Sequence, residues 1–258
     1  MVFLSADPLA AQDLKSSQDP LIVARHLYNE GRYDAAISAA GDALGIADLN
    51  DRAHLVIGRA HLERFRQTTD RQDLEAGRTA LRGINAARLG HREQIELILG
   101  VAEALYLEES YGAAVEVFDG VLARLHDFDP LTREQVLDWW ATALDRQAQA
   151  RRGDLRDPLY RRLLARMEEE LQRNPVSGAA SYWIAAASRG LGDLERAWNA
   201  AIAGWVRAPL TPDRGAALRA DLDRLVTQAI IPDRAGRQRD QTSLQSEWEA
   251  VKQNWTHK

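Results

Sequence analysis

The sequence predicts an all-α protein built from stacked helix pairs. Three observations carry this. The 258-residue chain is rich in Ala, Leu, Arg and Glu, which are good helix formers. It lacks the sustained period-two alternation of β-branched residues that marks strands. One helix-turn-helix pattern, with small residues at matching positions, returns along the chain, and internal repeats of this kind set the architecture.

The bulk properties exclude several classes. Hydrophobic residues make up 45% and charged residues 28%, a balance that supports a packed core rather than disorder. The formal net charge of −5 gives no general attraction to nucleic acid or anionic lipid. With no cysteine there are no disulfides, cysteine-zinc sites or thiol nucleophiles. No uncharged apolar run approaches the roughly 20 residues that span a bilayer.

Residues 1–19 form a tail. Pro8-Leu9-Ala10-Ala11-Gln12 resembles the end of a secretory signal, although the basic start is missing and the apolar part is short. Two readings stand: an export-signal remnant, with a periplasmic or exported protein, or a cytoplasmic tail. Helical repeats are expected over 20–211. No proline falls between Pro20 and Pro130, so that stretch can be helical throughout. Asp19-Pro20, Asp129-Pro130, Asp157-Pro158 and Thr211-Pro212 each read as a helix start: Pro suits the first helical position, and the residue before it caps free N–H groups.

The first pair lies in PLIVARHLYNEGRYDAAISAAGDAL. Ala24 is the small residue of its first helix, Gly31 sits at the turn, Tyr33 opens the second helix, and Ala36, Ala40 and Ala43 keep it slim. Small residues let antiparallel helices approach, and glycine permits the tight turn. The third pair repeats this with Ala102, Tyr111, Ala114, Phe118 and Val121, but Glu109 stands where the turn glycine belongs. The fifth does so with Ala185, Gly192, Leu194, Ala197, Ala201 and Gly204, closed by Pro209. Two looser pairs lie between. One joins His54–Arg64 to Leu74–Leu89, with Gly58 and Ala76 in the small positions and a stretched linker near Thr68-Thr69. The other joins Glu134–Arg151 to Leu159–Arg173. A capping helix over 212–230 places Leu218, Leu222, Leu225 and Val226 on one side. A polar linker follows Ile231-Pro232. A capping box of Thr242 and Gln245 then opens a last helix within 231–258, with Leu244, Trp248, Val251 and Trp255 on one stripe.

These motifs resemble the tetratricopeptide repeat, a helix pair of about 34 residues. The resemblance implies a right-handed α-solenoid of about five pairs. It also implies a concave face, lined by the first helix of each pair, that takes extended or helical peptides. Carried over by register, the groove residues are Arg25, Tyr28 and Asn29 in the first pair, Arg59 and Glu63 in the second, Glu103 and Tyr106 in the third, and Tyr182 and Arg189 in the fifth. Aromatic and arginine side chains suit such a role because they bury much area and also hydrogen-bond. The lysine and asparagines of the family's carboxylate clamp are missing.

Other features carry plainer readings. The basic run Arg146–Arg166, which includes Arg151, Arg152, Arg156, Arg161 and Arg162, could hold phosphate or an acidic protein segment; with Tyr160 its one aromatic for base stacking, the favoured reading is a solvated face. His54 and His61 lie seven apart on one helix face; a zinc site would require a third ligand, with His26 of the preceding pair as the candidate, and core or surface histidines are the plainer reading. The runs Glu108-Glu109 and Glu168–Glu170 spread around their helices and do not pair. Trp248 and Trp255, on a detached amphipathic helix, either fold back onto the array or bind a partner or a second copy. No phosphate loop, HExxH or GxSxG is present. The expectation is therefore a non-enzymatic scaffold or adaptor for a partner protein, without cofactor, metal or nucleic acid. The alternative is a structural subunit of a larger assembly, such as one of the cell envelope, held through outer faces and the C-terminal helix.

Overall fold

A computed structural model describes residues 19–256 apart from 125, 127, 212 and 237–239. The leader-like segment 1–18 lies outside the described residues, as do Pro212, Arg237 and Arg239. The protein is all-helical, with no β-strand among the described residues, and its helices pack in adjacent pairs. No described helix is long and apolar enough to cross a membrane. The chain divides into two compact units, 1–123 and 124–258.

The first unit holds α1 (Pro20–Asn29) against α2 (Tyr33–Ala43), α3 (Asn50–Thr68) against α4 (Arg71–Arg82), and α5 (His91–Leu107) against α6 (Tyr111–Leu122). Helix α1 starts where Asp19 accepts a hydrogen bond from the Leu21 N–H (2.9 Å), with Pro20 in the first turn. Ala24, Ala36, Ala40 and Ala43 are fully buried at the contact of the first pair. In the second pair the close contact falls on Gly58 and Gly77 rather than on Ala76: a Cβ at Gly77 would stand 2.9 Å from Leu62 and 3.0 Å from the Gly58 carbonyl. Ala76 is one residue out of register and only half-buried. The supposed linker around Thr68 is the last turn of α3, so only Thr69 and Asp70 join it to α4.

The turns of the first and third pairs share one hydrogen-bond pattern. Gly31 N–H donates to the Tyr28 carbonyl and Arg32 N–H to Leu27; Glu109 N–H donates to Tyr106 and Ser110 N–H to Leu105. This is the Schellman closure, which needs a left-handed residue at its centre. Gly31 supplies it at φ 73°, and Glu109 adopts it at φ 60° despite its side chain.

The second unit holds α7 (Pro130–Gln149), α8 (Gly153–Arg173), α9 (Gly178–Gly190) and α10 (Leu194–Arg207). Between α9 and α10 the same closure recurs around Gly192 at φ 77°. Asp129 caps α7 by accepting from the Leu131 and Thr132 N–H groups, each at 3.0 Å. Asp157-Pro158 does not begin a helix. Helix α8 starts at Gly153 and carries Pro158 inside it, at the cost of the bond to the Asp154 carbonyl. From α7, Glu134 accepts from the Ala179 N–H (2.9 Å) and the Ser177 hydroxyl (3.1 Å), which fixes the start of α9.

After α10 the next helix does not begin at Thr211-Pro212 either. It is α11 (Ala216–Leu225), held by Asp213, which accepts from the Gly215 and Ala217 N–H groups. Nor does the chain leave the helix at Ile231-Pro232. A π-helical turn over Val226–Ile230 leads into α12 (Ile231–Ala235). The widened turn precedes Pro232, whose ring would crowd the carbonyl four residues back and which has no N–H to offer it. Helix α13 (Gln241–Thr256) opens on Asp240, which accepts from the Ser243 N–H (3.0 Å); the expected Thr242–Gln245 box is displaced by this stronger cap. Leu244 and Trp248 of α13 are buried in one core with Trp198, Trp205, Leu222, Val226 and Ile230.

Candidate functional site

Each unit carries a recess; that of the first unit is built on the first helices of its pairs, that of the second on helices of both kinds and on α11 and α12. In the first unit a recess of about 230 Å³ is lined by Arg25, Tyr28 and Asn29 of α1, Arg59 of α3, and Arg92 and Glu96 of α5. The sequence register assigned the first four of these to the groove. The Arg59 guanidinium lies over the Tyr28 ring, 5.2 Å from its centroid, and its Nε has no hydrogen-bond partner. Burial raises the Tyr28 hydroxyl above its ordinary pKa. Tyr28 also packs on Tyr33 across the turn (5.7 Å), and Tyr106 packs on Tyr111 in the same way (5.9 Å). Arg25 and Arg52 both reach Glu93, at 2.7 Å and 3.1 Å.

Glu103 is placed differently from a groove residue. It is fully buried, and neither carboxylate oxygen has a hydrogen-bond partner; the Arg66 Nη1 stands 3.8 Å away. Burial, reinforced by Glu63, pushes its pKa up to about 8 against the pull of Arg59 and Arg66. It is neutral well into the range where surface carboxylates are charged. Of the two histidines weighed for zinc, His61 meets Asp73 at 2.9 Å, and Arg64 holds the same carboxylate. Among the described residues no group of three or more His, Asp and Glu is placed to hold a metal ion.

The second unit's recess is larger, about 740 Å³. Tyr182 and Trp183 of α9 form one wall and meet nearly edge to face (5.1 Å, 87°). The Trp183 Nε1 donates to Asp138 at 2.8 Å, which fixes the ring. Tyr160 of α8 lies on the bare backbone of Gly190, where a Cβ would come within 2.6 Å of the ring. Its hydroxyl donates to Asp145 at 2.8 Å, and burial raises the pKa of both groups. Arg189 is paired with Asp233 at 2.8 Å, and Arg151 and Arg156 also line the recess.

No family model matches the chain, and no curated protein and no solved structure matches it.

Two register-assigned residues, Tyr182 and Arg189, thus line the second recess. Trp248 does not stand on a surface. It is fully buried, packs edge-on against Trp198 (5.9 Å) and Trp205 (5.4 Å), and donates to Asp223 at 2.8 Å. Trp255 remains 42% exposed, with its carbonyl accepting from Arg219 at 3.0 Å. Sequence reasoning passed over Asp145 and Asp233 and set aside a ligand-holding role for Arg151 and Arg156, because a basic run reads as a solvated face unless something shows a concavity beneath it. One signal was present. Gly190 ends a helix two residues before the turn glycine, where only a close approach explains a second glycine.

Proposed function

We propose that this chain is a non-enzymatic binding protein, a tetratricopeptide-type array that holds a segment of a partner protein in a recess lined by the first helices of successive pairs. One observation carries the reading. Side chains from α1, α3 and α5, the first helices of successive pairs, meet in a single recess that offers Tyr28, Asn29, Arg59 and Arg92 together. Such a surface is preorganised, since the Tyr28 and Arg59 side chains are already ordered against each other and lose little entropy on binding. The alternative of a subunit held through the C-terminal helix has less support, because Leu244 and Trp248 are spent on the core of their own unit.

The test is affinity capture from a lysate of the source organism, read by mass spectrometry. The intact chain is set beside a variant carrying Asn29→Arg and Arg92→Glu, both at exposed positions. A partner held by the intact chain and lost from the variant is the expected result. Equal retention by both would remove the first recess from the proposal.

A further inference from the structure

The recess of the second unit has a definite chemical bias. Five charged side chains line it: Arg151, Arg156 and Arg189, with Asp145 and Asp233. Both carboxylates are engaged within the protein. Asp233 receives Arg189 at 2.8 Å, and Asp145 receives the Tyr160 hydroxyl at 2.8 Å and the Gln149 amide at 2.5 Å. The other two arginines are less engaged. Arg156 reaches only its sequence neighbour Asp157, at 3.4 Å, and Arg151 has no side-chain partner among the described residues. Arg152 beside it is exposed and likewise unpaired. Two guanidinium groups therefore line an aromatic-walled cavity with donors to spare, since Arg156 directs only Nε and Nη2 at Asp157, and such groups take carboxylates in two-pronged fashion.

We propose that this recess is a receptor for a short acidic segment of a partner protein, with Arg151 and Arg156 taking its carboxylates and the Tyr182–Trp183 wall taking an apolar or aromatic side chain between them. The proposal rests on reading the chain as a binding protein, but on a different recess from the one tested above. A peptide fits better than the other anions. The cavity lies in the size range of sites that enclose whole ligands, far beyond one phosphate group. A nucleic acid needs a phosphate-neutralising track with several stacking faces, and here one bay is set in a chain of net charge −5. Arginine clusters beside an apolar pocket are a general solution for acidic peptide motifs.

The test is fluorescence anisotropy with the full chain and a short labelled peptide alternating glutamate with phenylalanine. The same peptide with lysine for glutamate, inorganic phosphate and a short oligothymidylate run beside it. The acidic peptide is expected to bind, to weaken as salt rises, and to lose about tenfold or more in affinity with Arg151→Glu plus Arg156→Glu, a loss of about 1.4 kcal/mol or more. Arg82→Glu, at an exposed position of the first unit that lines neither recess, is expected to leave that affinity unchanged. Circular dichroism checks the double variant, and Arg151→Gln alone serves if it fails to fold. No binding of the acidic peptide, equal binding of the lysine peptide, or indifference to the arginine changes would overturn the proposal. So would tighter binding of the oligothymidylate, or displacement of the peptide by phosphate at equal charge. Any of these failures leaves a partner captured through the first recess untouched, so the two readings fall separately.

Discussion

Glu103 shows how far one side chain can depart from what its position in a repeat suggests. Register puts it on the groove-facing side of a first helix, yet α3 closes over it and both oxygens lie buried without hydrogen bonds. An ionised carboxylate there would be costly, so the group stays protonated up to about pH 8. The unfolded chain releases the same proton near its ordinary value of 4.5. Folding therefore takes up a proton between those two values, and the contribution of Glu103 to stability falls as pH rises through that window. Glutamine keeps the shape and cannot ionise. Glu103→Gln is expected to change stability little near pH 5 and to stabilise near about pH 9, with the gain developing across the window. Urea unfolding of both proteins at several pH values measures it; a difference between them that does not vary with pH would refute this account.

At the scale of the element, the three-residue turn recurs most faithfully. It closes α1 to α2, α5 to α6 and α9 to α10 with the same pair of backbone bonds, around Gly31, Glu109 and Gly192. Glutamate holds the left-handed conformation only under strain, at about 1–2 kcal/mol. Glycine removes that strain but loses about 0.5–1 kcal/mol through greater freedom in the unfolded chain. Glu109→Gly should thus stabilise the protein by roughly 0.5–1 kcal/mol, visible as a melting temperature a few degrees higher. A lower melting temperature would mean that the Glu109 side chain makes a contribution the turn geometry does not reveal. The C-terminal elements teach the opposite lesson. Pro232 reads as a stop, but a widened turn carries the helix past it, and Trp248 is drawn into the core between Trp198 and Trp205.

At the scale of the molecule, the chain is two compact units, and each has apolar clusters of its own. Leu21, Ala24, Ala53 and Val56 form one in the first unit, with Leu55, Leu62 and Leu81 in another. Trp198, Trp205, Leu222 and Trp248 belong to the core of the second. A compact unit with its own core can in principle fold alone. Fragments divided between Ala123 and Arg124 are therefore expected to be helical and to melt cooperatively when made separately. Circular dichroism melts of the two fragments decide it, and a fragment that shows no cooperative transition would count against two independent cores.

Local chemistry alone settles the helical class, the helix starts at Pro20 and Pro130, the small residues at Ala24, Ala102 and Ala185, and the turns at Gly31 and Gly192. Each depends on residues within about one turn of one another, through caps, glycine conformations and the 3.6-residue period. The sequence also carried Arg25, Tyr28, Asn29 and Arg59 to one face, because register along successive first helices repeats. Burial of Glu103 and Trp248, the seat of Tyr160 on Gly190, and the recess beneath Arg151 and Arg156 were decided by the tertiary structure. Those features join residues from different helices, tens of positions apart, and depend on how closely the helices pack. No periodicity within a single helix encodes that distance.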